Sequence, residues 1–391
     1  MYLPFIKFFF GFLAFLIPVW LFYITIRKKL PNKWYVTALY WIVPLGFAVT
    51  FICIRYFTSI RILYGGIQWL TTWLVWFYVI WLMVFLIYAI FYWLDLLFNK
   101  IFNKNGFKLK YFVVIPLIII FLIAYFQGTL NRKNIKIKYA NIEVKNLPQG
   151  FNDTKIAVLG DTHFGSFRNS RQYFSNIAQL INEQNVDLVL FTGDLINAHS
   201  FEGRAYVRIF KTIKAKYGKY AVMGNHDFCD YYRWKDDLAK ANQMDLVKQL
   251  YNAMGFEILD NKYVILEKDS LNRICLVGAD KTSDLQSVIK NSPDSVLKIL
   301  LYHNPKIWEK EVVGKETEVA LTIAGHTHAW QCAFYISGKK ISPASWLFPQ
   351  WDGKYTEGGQ TLYITRGVGY VGTPVKIGIK PEISILTLKS Y

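Results

Sequence analysis

Long runs without charged residues dominate the first third of the chain. Four such runs cover residues 8–26, 34–54, 67–94 and 111–130, and none contains Asp, Glu, Lys or Arg. A membrane span needs about 20 mainly apolar residues, so the pattern predicts a transmembrane domain of four helices over residues 1–130. Transporters and channels usually place ionisable residues inside their spans, and these runs contain none, which argues against transport.

Beyond residue 150 the pattern changes to short apolar runs that alternate with helical stretches. Residues 155–160 and 187–192 predict the first two strands, with helices near residues 171–182 and 201–216. Further predicted strands cover residues 220–223, 273–277, 297–302, 318–324, 361–365 and 383–388. This order predicts an α/β fold with a large mixed sheet or a pair of sheets over residues 151–391. Residues 131–150 are then a basic linker.

The charge of +18 is unevenly distributed along the chain. Residues 1–130 hold eleven Lys and Arg but a single acidic residue, Asp95. Basic flanks of apolar runs are typical of contact with anionic lipid headgroups, so we expect a lipid bilayer as partner. The sequence shows no RNA-binding or helix-turn-helix signature, and we expect no nucleic-acid partner. The four cysteines have neither metal-site spacing nor the pattern of a disulfide framework.

The basic residues in the loops between the predicted spans indicate on which side of the membrane the C-terminal domain lies. The loops after the first and third spans share one side and carry Arg27, Lys28, Lys29, Lys33, Lys100, Lys104, Lys108 and Lys110. The opposite side carries Lys7, Arg55 and Arg61, followed by four basic residues that lead into the large domain. Long domains translocate largely regardless of charge, so we discount those four and expect the C-terminal domain on the outer face of the cytoplasmic membrane. If they are counted, the two sides are nearly balanced.

Residues of metal-binding type follow five of the predicted strands. In chain order the motifs are Asp161-Thr162-His163, Gly193-Asp194, Gly224-Asn225-His226-Asp227, His303 and Gly325-His326-Thr327-His328. Five of the six histidines lie in these motifs, and His199 is the exception. Gly-Asp and Asp-x-His also occur in ordinary turns, so neither is specific alone. Open α/β sheets build their sites beyond the carboxyl ends of strands, and we therefore expect the five motifs to meet.

These residue types predict a two-metal hydrolase. Mn²⁺, Fe²⁺ and Zn²⁺ all accept mixed imidazole and carboxylate ligands, so the metal identity stays open. Two ions about 3.5–4 Å apart clamp the attacking and leaving oxygens of an in-line displacement and activate a water near neutral pH. Glycines before Asp194, Asn225 and His326 allow the backbone to approach a metal or phosphate closely.

The five motifs closely resemble the ordered signature of the calcineurin-like metallophosphoesterase superfamily: D-x-H, G-D, G-N-H-[D/E], H and G-H-x-H. The likeness covers about residues 147–391, and the segments YGKYAVMGNHD (217–227) and LYHNP (301–305) are similar to its YaeI-type membrane-associated branch. The resemblance implies two facing β-sheets flanked by helices and the hydrolysis of phosphodiesters. Some relatives in that branch cleave UDP-diacylglucosamine.

Carried over motif by motif, the resemblance also implies the roles of individual residues. Asp161, His163 and His328 hold one divalent metal ion, Asn225, His303 and His326 hold the other, and Asp194 bridges them. His226 contacts the phosphate and protonates the leaving oxygen, while Asp227 orients its ring. An imidazole with a pKa near neutrality suits that task, and a carboxylate partner raises its basicity.

The substrate is less well defined than the chemistry. The chain departs from the branch after Gly-His-Thr-His, where it has Ala329-Trp330-Gln331 instead of Gly-Gly-Gln. Anchoring to a bilayer favours a lipid-linked or nucleotide-linked phosphodiester or pyrophosphate. A soluble phosphodiester such as a cyclic nucleotide is the alternative within the same class, and a catalytically idle, metal-bound membrane scaffold is the alternative from another class. The aromatic loop around Trp346 predicts contact either with the bilayer or with its own domain, and Arg168 and Arg366 are candidate phosphate contacts.

Overall fold

The structure is a computed structural model that describes residues 87–102, 109–167, 170–315, 319–372 and 374–391, with the isolated positions 20, 23–24, 27, 34, 37, 41 and 45–46. The chain divides into two units. The first comprises residues 1–63 and 70–126, and the second comprises residues 64–69 and 127–391.

Helices make up the described part of the first unit. Residues 87–101 are helical, and α1 (Leu109–Asn131) covers the predicted fourth span, with its last turn in the second unit. Most of the first three predicted spans lies outside the described residues. Across the residues that are described, no helix has both the length and the apolar character needed to cross a membrane. The four-helix transmembrane domain therefore stays a prediction.

Two six-stranded sheets form the framework of the second unit. The first has the order β1 (Lys136–Val144), β14 (Glu382–Ser390), β2 (Lys155–Leu159), β3 (Leu188–Phe191), β4 (Lys219–Ala221), β5 (Glu257–Ile258). The second has the order β12 (Gly353–Glu357), β13 (Gln360–Ile364), β9 (Val319–Ala324), β8 (Lys298–Tyr302), β7 (Asn272–Ala279), β6 (Lys262–Asp269). A separate hairpin consists of β10 (Phe334–Ile336) and β11 (Lys339–Ile341). The predicted mixed α/β fold is confirmed.

An apolar core joins the two sheets, and helices cover their other faces. Ile156 and Leu190 of the first sheet belong to the same buried cluster as Leu276, Leu301 and Leu321 of the second. The helices are α2 (Arg171–Glu183), α3 (Val207–Lys211), α4 (Asp237–Ala253), α5 (Leu285–Lys290) and α6 (Lys306–Glu311). In α2 the buried residues recur at helical spacing, which gives this helix a single apolar face.

Two local predictions are wrong. The predicted basic linker contains β1, which pairs in parallel with β14 along its whole length and buries Ile142 and Val144. Its exposed lysines and polar residues alternate with these apolar ones, so the segment resembles a polar linker in composition alone. The predicted helix 201–216 is instead a 3₁₀ segment, Ser200–Tyr206, followed by the short α3, which ends where the Thr212 hydroxyl donates to the Ile209 carbonyl.

Candidate metal centre

The direction of the strands brings the five motifs to one place. Strands β2, β3 and β4 are parallel to one another in the first sheet, and β7, β8, β9 and β13 are parallel in the second. Each motif directly follows the carboxyl end of β2, β3, β4, β8 or β9. Two parallel sets of strands in facing sheets thus deliver their loops to one edge, as the sequence predicts.

The backbone at this edge is strained. Five of the predicted metal ligands have positive φ: Asp161 (51°), His163 (44°), Asp194 (58°), His326 (72°) and His328 (47°). Left-handed backbone is uncommon for residues with a Cβ atom and costs of order 1–3 kcal/mol where the surroundings enforce it. Such conformations cluster at functional sites, because they turn side chains toward one another against the preference of the chain.

Glycines create the space for this convergence. A Cβ atom added at Gly224 would collide with the carboxylate and backbone nitrogen of Asp194. One added at Gly325 would lie 2.5 Å from both Asp161 Oδ2 and Thr192 Oγ1. The glycines at these two positions therefore allow neighbouring site loops to pack closely, while approach to a metal or phosphate stays a prediction.

A first cluster consists of Asp161, His163 and His328, all of them buried. Their ligand atoms lie within 4.8 Å of one another. The Nε2 atoms of the two histidines are 3.0 Å apart, and His328 Nε2 lies 3.4 Å from Asp161 Oδ1. These are the residues that the resemblance assigns to one metal ion.

A second cluster contains His303 and His326 together with Asn225. His303 Nε2 lies 3.0 Å from both Asn225 Oδ1 and His326 Nδ1. Asp194 connects the two clusters, because its Oδ2 is 3.3 Å from His303 Nε2 and 3.5 Å from His163 Nε2. All seven predicted ligands are therefore gathered, with the predicted bridging carboxylate between the two groups.

Hydrogen bonds behind the rings fix their orientation. His163 Nδ1 lies 3.0 Å from Asn197 Oδ1, and His303 Nδ1 lies 2.7 Å from the carbonyl oxygen of Thr192. Because a carbonyl oxygen only accepts, each Nδ1 carries a hydrogen and each Nε2 faces the site. Outer contacts of this kind set the tautomer and increase the basicity of metal-binding histidines.

Burial shifts the pKa values of this pocket strongly. Burial, reinforced by the neighbouring His226, lowers the pKa of His163 to about 3, and burial with the charge of His303 lowers that of His326 to about 3. Burial also raises the pKa of Asp161 to about 7. Although burial opposes ionisation of Asp194 as well, the charge of His303 and its hydrogen bond hold the pKa of Asp194 well below its usual value.

The donor set fits divalent cations. Imidazole nitrogens face one another at 3.0 Å in each cluster, and carboxylate oxygens lie beside them in a buried pocket. Lone pairs brought this close repel one another unless a proton or a metal ion lies between them. The lowered pKa values of His163 and His326 keep these two imidazoles neutral, which is the state in which an imidazole binds a metal. The residues suit Mn²⁺, Fe²⁺ or Zn²⁺.

His226 lies beside the clusters without belonging to the predicted ligand set. Its Nδ1 is 2.6 Å from the Asn197 carbonyl oxygen, and its backbone N–H donates to Asp194 Oδ1 at 2.9 Å. The exposed Tyr231 stacks on the His226 ring at a centroid distance of 4.1 Å and accepts a hydrogen bond from Asn225 Nδ2 at 2.9 Å. The ring is thus held from both sides, and its Nε2 is the nitrogen available for proton transfer.

The role predicted for Asp227 is wrong in detail. Among the hydrogen bonds between described residues, none joins its carboxylate to the His226 ring, which the Asn197 carbonyl orients instead. The Asp227 carboxylate accepts from the backbone N–H groups of Asp194, Leu195 and Gly224 and from the Tyr251 hydroxyl, at 2.8–2.9 Å. Asp227 therefore positions the loops that carry Asp194 and Asn225, and it acts on the site through them.

The sequence does not predict the environment of two basic side chains near the site, Lys376 and Arg366. Lys376 is fully buried, and burial lowers the pKa of its ammonium to about 7 although the nearby Asp161 opposes that shift. Arg366 pairs with Asp352 through Nε–Oδ1 at 2.7 Å and Nη2–Oδ2 at 2.8 Å, so its guanidinium supports the fold and is not a free phosphate contact. Arg168 lies outside the described residues. Lys376 belongs to no motif, and no sequence signal marks it.

Comparison with known proteins identifies this part of the chain. A family model described as calcineurin-like phosphoesterase matches residues 154–330, the segment that carries all five motifs. Residues 154–330 are a calcineurin-like metallophosphoesterase domain. Relatives carry the same description: the chain is 28% identical over 250 residues to the uncharacterized metallophosphoesterase YkuE of Bacillus subtilis, a match that covers 62% of this chain and 82% of that protein.

A second relative is named as a transmembrane protein. The metallophosphoesterase is 27% identical over 293 residues to the transmembrane protein with metallophosphoesterase domain of Danio rerio, covering 71% of this chain and 62% of that protein. An uncharacterized metallophosphoesterase of Helicobacter pylori is 28% identical over 258 residues, covering 65% and 64%. Together these matches support a metal-dependent phosphoesterase activity for the domain that carries the five motifs.

A substitution tests whether Asp227 positions the loops that carry Asp194 and Asn225. We expect Asp227→Asn to lower stability by about 1–3 kcal/mol, because an amide NH₂ would face backbone N–H donors that are buried and then unpaired. Thermal unfolding of the detergent-purified metallophosphoesterase measures the loss. Asp230→Asn is the matched control: it removes exposed ion pairs with Lys240 and Lys281, whose contribution is about 0–1 kcal/mol. Equal unfolding midpoints for the two variants would contradict the assignment.

Proposed function

We propose that this metallophosphoesterase is a membrane-anchored, two-metal hydrolase of a phosphodiester or pyrophosphate bond in a lipid-linked or nucleotide-linked substrate. The observation that carries the proposal is the position of Asp194. Its Oδ2 lies within 3.5 Å of one histidine from each cluster, where one carboxylate serves two ions. When bound, the two ions supply Lewis acidity, which activates a water and neutralises charge on the phosphate.

The chain itself supplies orientation and a proton. Asp161, His163 and His328 would hold one ion, and Asn225, His303 and His326 would hold the other. His226 is the general acid of the proposal: the Asn197 carbonyl keeps the hydrogen on Nδ1, so Nε2 is the atom that delivers a proton to the leaving oxygen. Tyr231 holds the Asn225 amide through Nδ2, so Oδ1 faces the site.

Membrane association favours a substrate presented at a bilayer. Support comes from the uncharged runs of residues 1–130 and from relatives named transmembrane proteins with metallophosphoesterase domain. The catalytic domain of the proposal lies on the outer face of the membrane. The basic loops after the first and third spans indicate the cytoplasmic side, and the domain follows the opposite side. A soluble phosphodiester such as a cyclic nucleotide is the competing substrate class. The idle-scaffold alternative is disfavoured, because every predicted ligand and His226 are present and gathered.

Hydrolysis of bis-p-nitrophenyl phosphate by the detergent-purified full chain tests the proposal. We expect turnover that is lost on chelation and restored by Mn²⁺ or Zn²⁺. Asp194→Asn removes a charge shared by both clusters, and His226→Ala removes the proton donor, so each lowers kcat by about 10²–10⁴.

The matched control for these variants is His199→Ala, the same change at the one histidine outside the five motifs. Its Nδ1 accepts from the Phe201 N–H, away from both clusters. We expect its kcat to stay within about twofold of the unsubstituted chain. Metal-independent turnover, or full activity in His226→Ala, would contradict the assignment of roles.

The proposed orientation is tested with reporters fused after Tyr391 in a bacterial host. Alkaline phosphatase folds only outside the cytoplasm, whereas a green fluorescent reporter that requires the cytosol marks the opposite side. We expect alkaline phosphatase activity without fluorescence, because long domains translocate largely regardless of charge. Fluorescence without phosphatase activity would place catalysis in the cytoplasm.

A further inference from the structure

Large apolar side chains lie exposed on one segment next to the metal centre. The members of this aromatic platform are Trp330, Phe334, Ile336, Ile341, Trp346 and Leu347. Trp346 is 80% exposed and Leu347 is 53% exposed. Single exposed apolar residues are ordinary, but six large ones within residues 330–347 indicate an interaction surface.

The register of the hairpin decides which side chains face outward. In the β10–β11 pair Phe334 is opposite Ile341, and Ile336 is opposite Lys339, so these four share one face. The other face carries Tyr335 and Lys340, whose polar ends bind Asp352 at 3.4 Å and 3.1 Å. All six residues of the hairpin are exposed, so its apolar face lies at the surface, while hydrogen bonds to Asp352 tie its polar face to the domain.

A small core of its own holds the platform in place. Ala329, Ala333, Ala344, Phe348, Trp351 and Ile379 form a separate buried cluster beneath it. The Ser342 hydroxyl donates to the Ala329 carbonyl at 2.9 Å, which ties the 3₁₀ turn Pro343–Trp346 to the loop after His328. That loop has four successive residues with positive φ, from His328 to Gln331, a conformation that these surroundings enforce. The exposed aromatics are thus built on a fixed base.

The last turn of α1 reaches the same base. Lys376 N–H donates to the Gly128 carbonyl at 3.0 Å, and a Cβ atom at Gly128 would collide with Val375. One residue further, the Ile377 carbonyl accepts from Ala333 N–H at 3.0 Å, immediately before β10. The segment that leads out of the apolar sequence 111–130 and the root of the hairpin are therefore attached to one short loop.

We propose that the aromatic platform is a membrane-docking surface that lies in the headgroup region of an anionic bilayer. The arrangement of a lysine among aromatic and aliphatic side chains suits that interface, where Lys339 meets anionic headgroups and the apolar residues enter the acyl boundary. We choose a bilayer as the occupant because the predicted apolar span 111–130 leads into this loop at Gly128 and because Lys339 lies among the apolar residues. This inference extends the proposed membrane association, and it names the residues that make contact.

The platform also borders the metal centre. The Phe348 ring, from the core of the platform, packs edge-on against His326 at a centroid distance of 5.4 Å, and Trp330 follows His328 by two residues. A bilayer on the platform would bring lipid headgroups to the rim of the pocket. Docking would therefore favour amphiphilic phosphoesters over soluble ones.

Site-specific fluorescence tests the docking. The full chain with Leu347→Cys, labelled with an environment-sensitive fluorophore, is reconstituted into vesicles of phosphatidylcholine with one-third phosphatidylglycerol. Cys53→Ser and Cys332→Ser remove other reactive thiols, since Cys229 and Cys275 are buried. Leu271→Cys is the matched control, an 88% exposed leucine next to the start of β7, at the sheet edge opposite the metal centre.

We expect blue-shifted emission at position 347 and quenching by about half with nitroxide-labelled lipids, whereas position 271 stays solvent-like. Solvent-like emission at both positions would overturn the proposal. A blue shift without lipid quenching would overturn it too, because it would show cover by protein.

A kinetic comparison separates docking from catalysis. Trp346→Ser with Leu347→Ser is expected to leave kcat/KM for bis-p-nitrophenyl phosphate within about twofold and to lower kcat/KM for hexadecyl p-nitrophenyl phosphate in the same vesicles by about tenfold. Equal losses on both esters would mean that the platform supports folding alone and would overturn the proposal. If the unsubstituted chain hydrolyses neither ester, the proposed function fails, and the fluorescence still decides whether the platform docks.

Discussion

The site depends on one constraint: carboxylate and imidazole groups of metal-binding type are crowded together in a buried pocket. Asp194 is in contact with histidines of both clusters and lies 2.9 Å from the backbone N–H of His226. Without water or a cation, carboxylates and imidazole lone pairs at these distances repel one another, and burial makes the repulsion stronger. Positive charge placed between these groups relieves the repulsion, and this links the fold to metal chemistry.

The two sheets stabilise this arrangement, although its backbone conformation is unfavourable. Left-handed backbone at five of the seven predicted ligands is unfavourable locally, and the buried clusters on both sides of the sheets supply the opposing stability. Asp227 transmits that support, since its carboxylate binds backbone groups of two site loops and the hydroxyl of Tyr251 on α4. The strain is confined to loops, while the strands that carry them remain regular.

Strand order and site position could be predicted because both depend on local pattern. Apolar runs mark β2, β3, β8 and β9, and each ends in a motif. The partners of Asp227 could not be predicted in this way, because they include backbone N–H groups of another loop, at Asp194 and Leu195, and the hydroxyl of Tyr251. Lys376 lies near the C-terminal end of the chain and belongs to no motif, so its burial near Asp161 could not be predicted. In β1 lysines alternate with apolar residues, and composition alone cannot distinguish this strand from a linker.

Metal stoichiometry tests the central claim most directly. The full chain, stripped with a chelator and reloaded with Mn²⁺ or Zn²⁺, would be freed of excess ion and examined by elemental analysis. We expect about two ions per chain, and about one or fewer in Asp194→Asn, because the carboxylate between the clusters would serve both ions. A wild-type chain that retains no more metal than Asp194→Asn would contradict it.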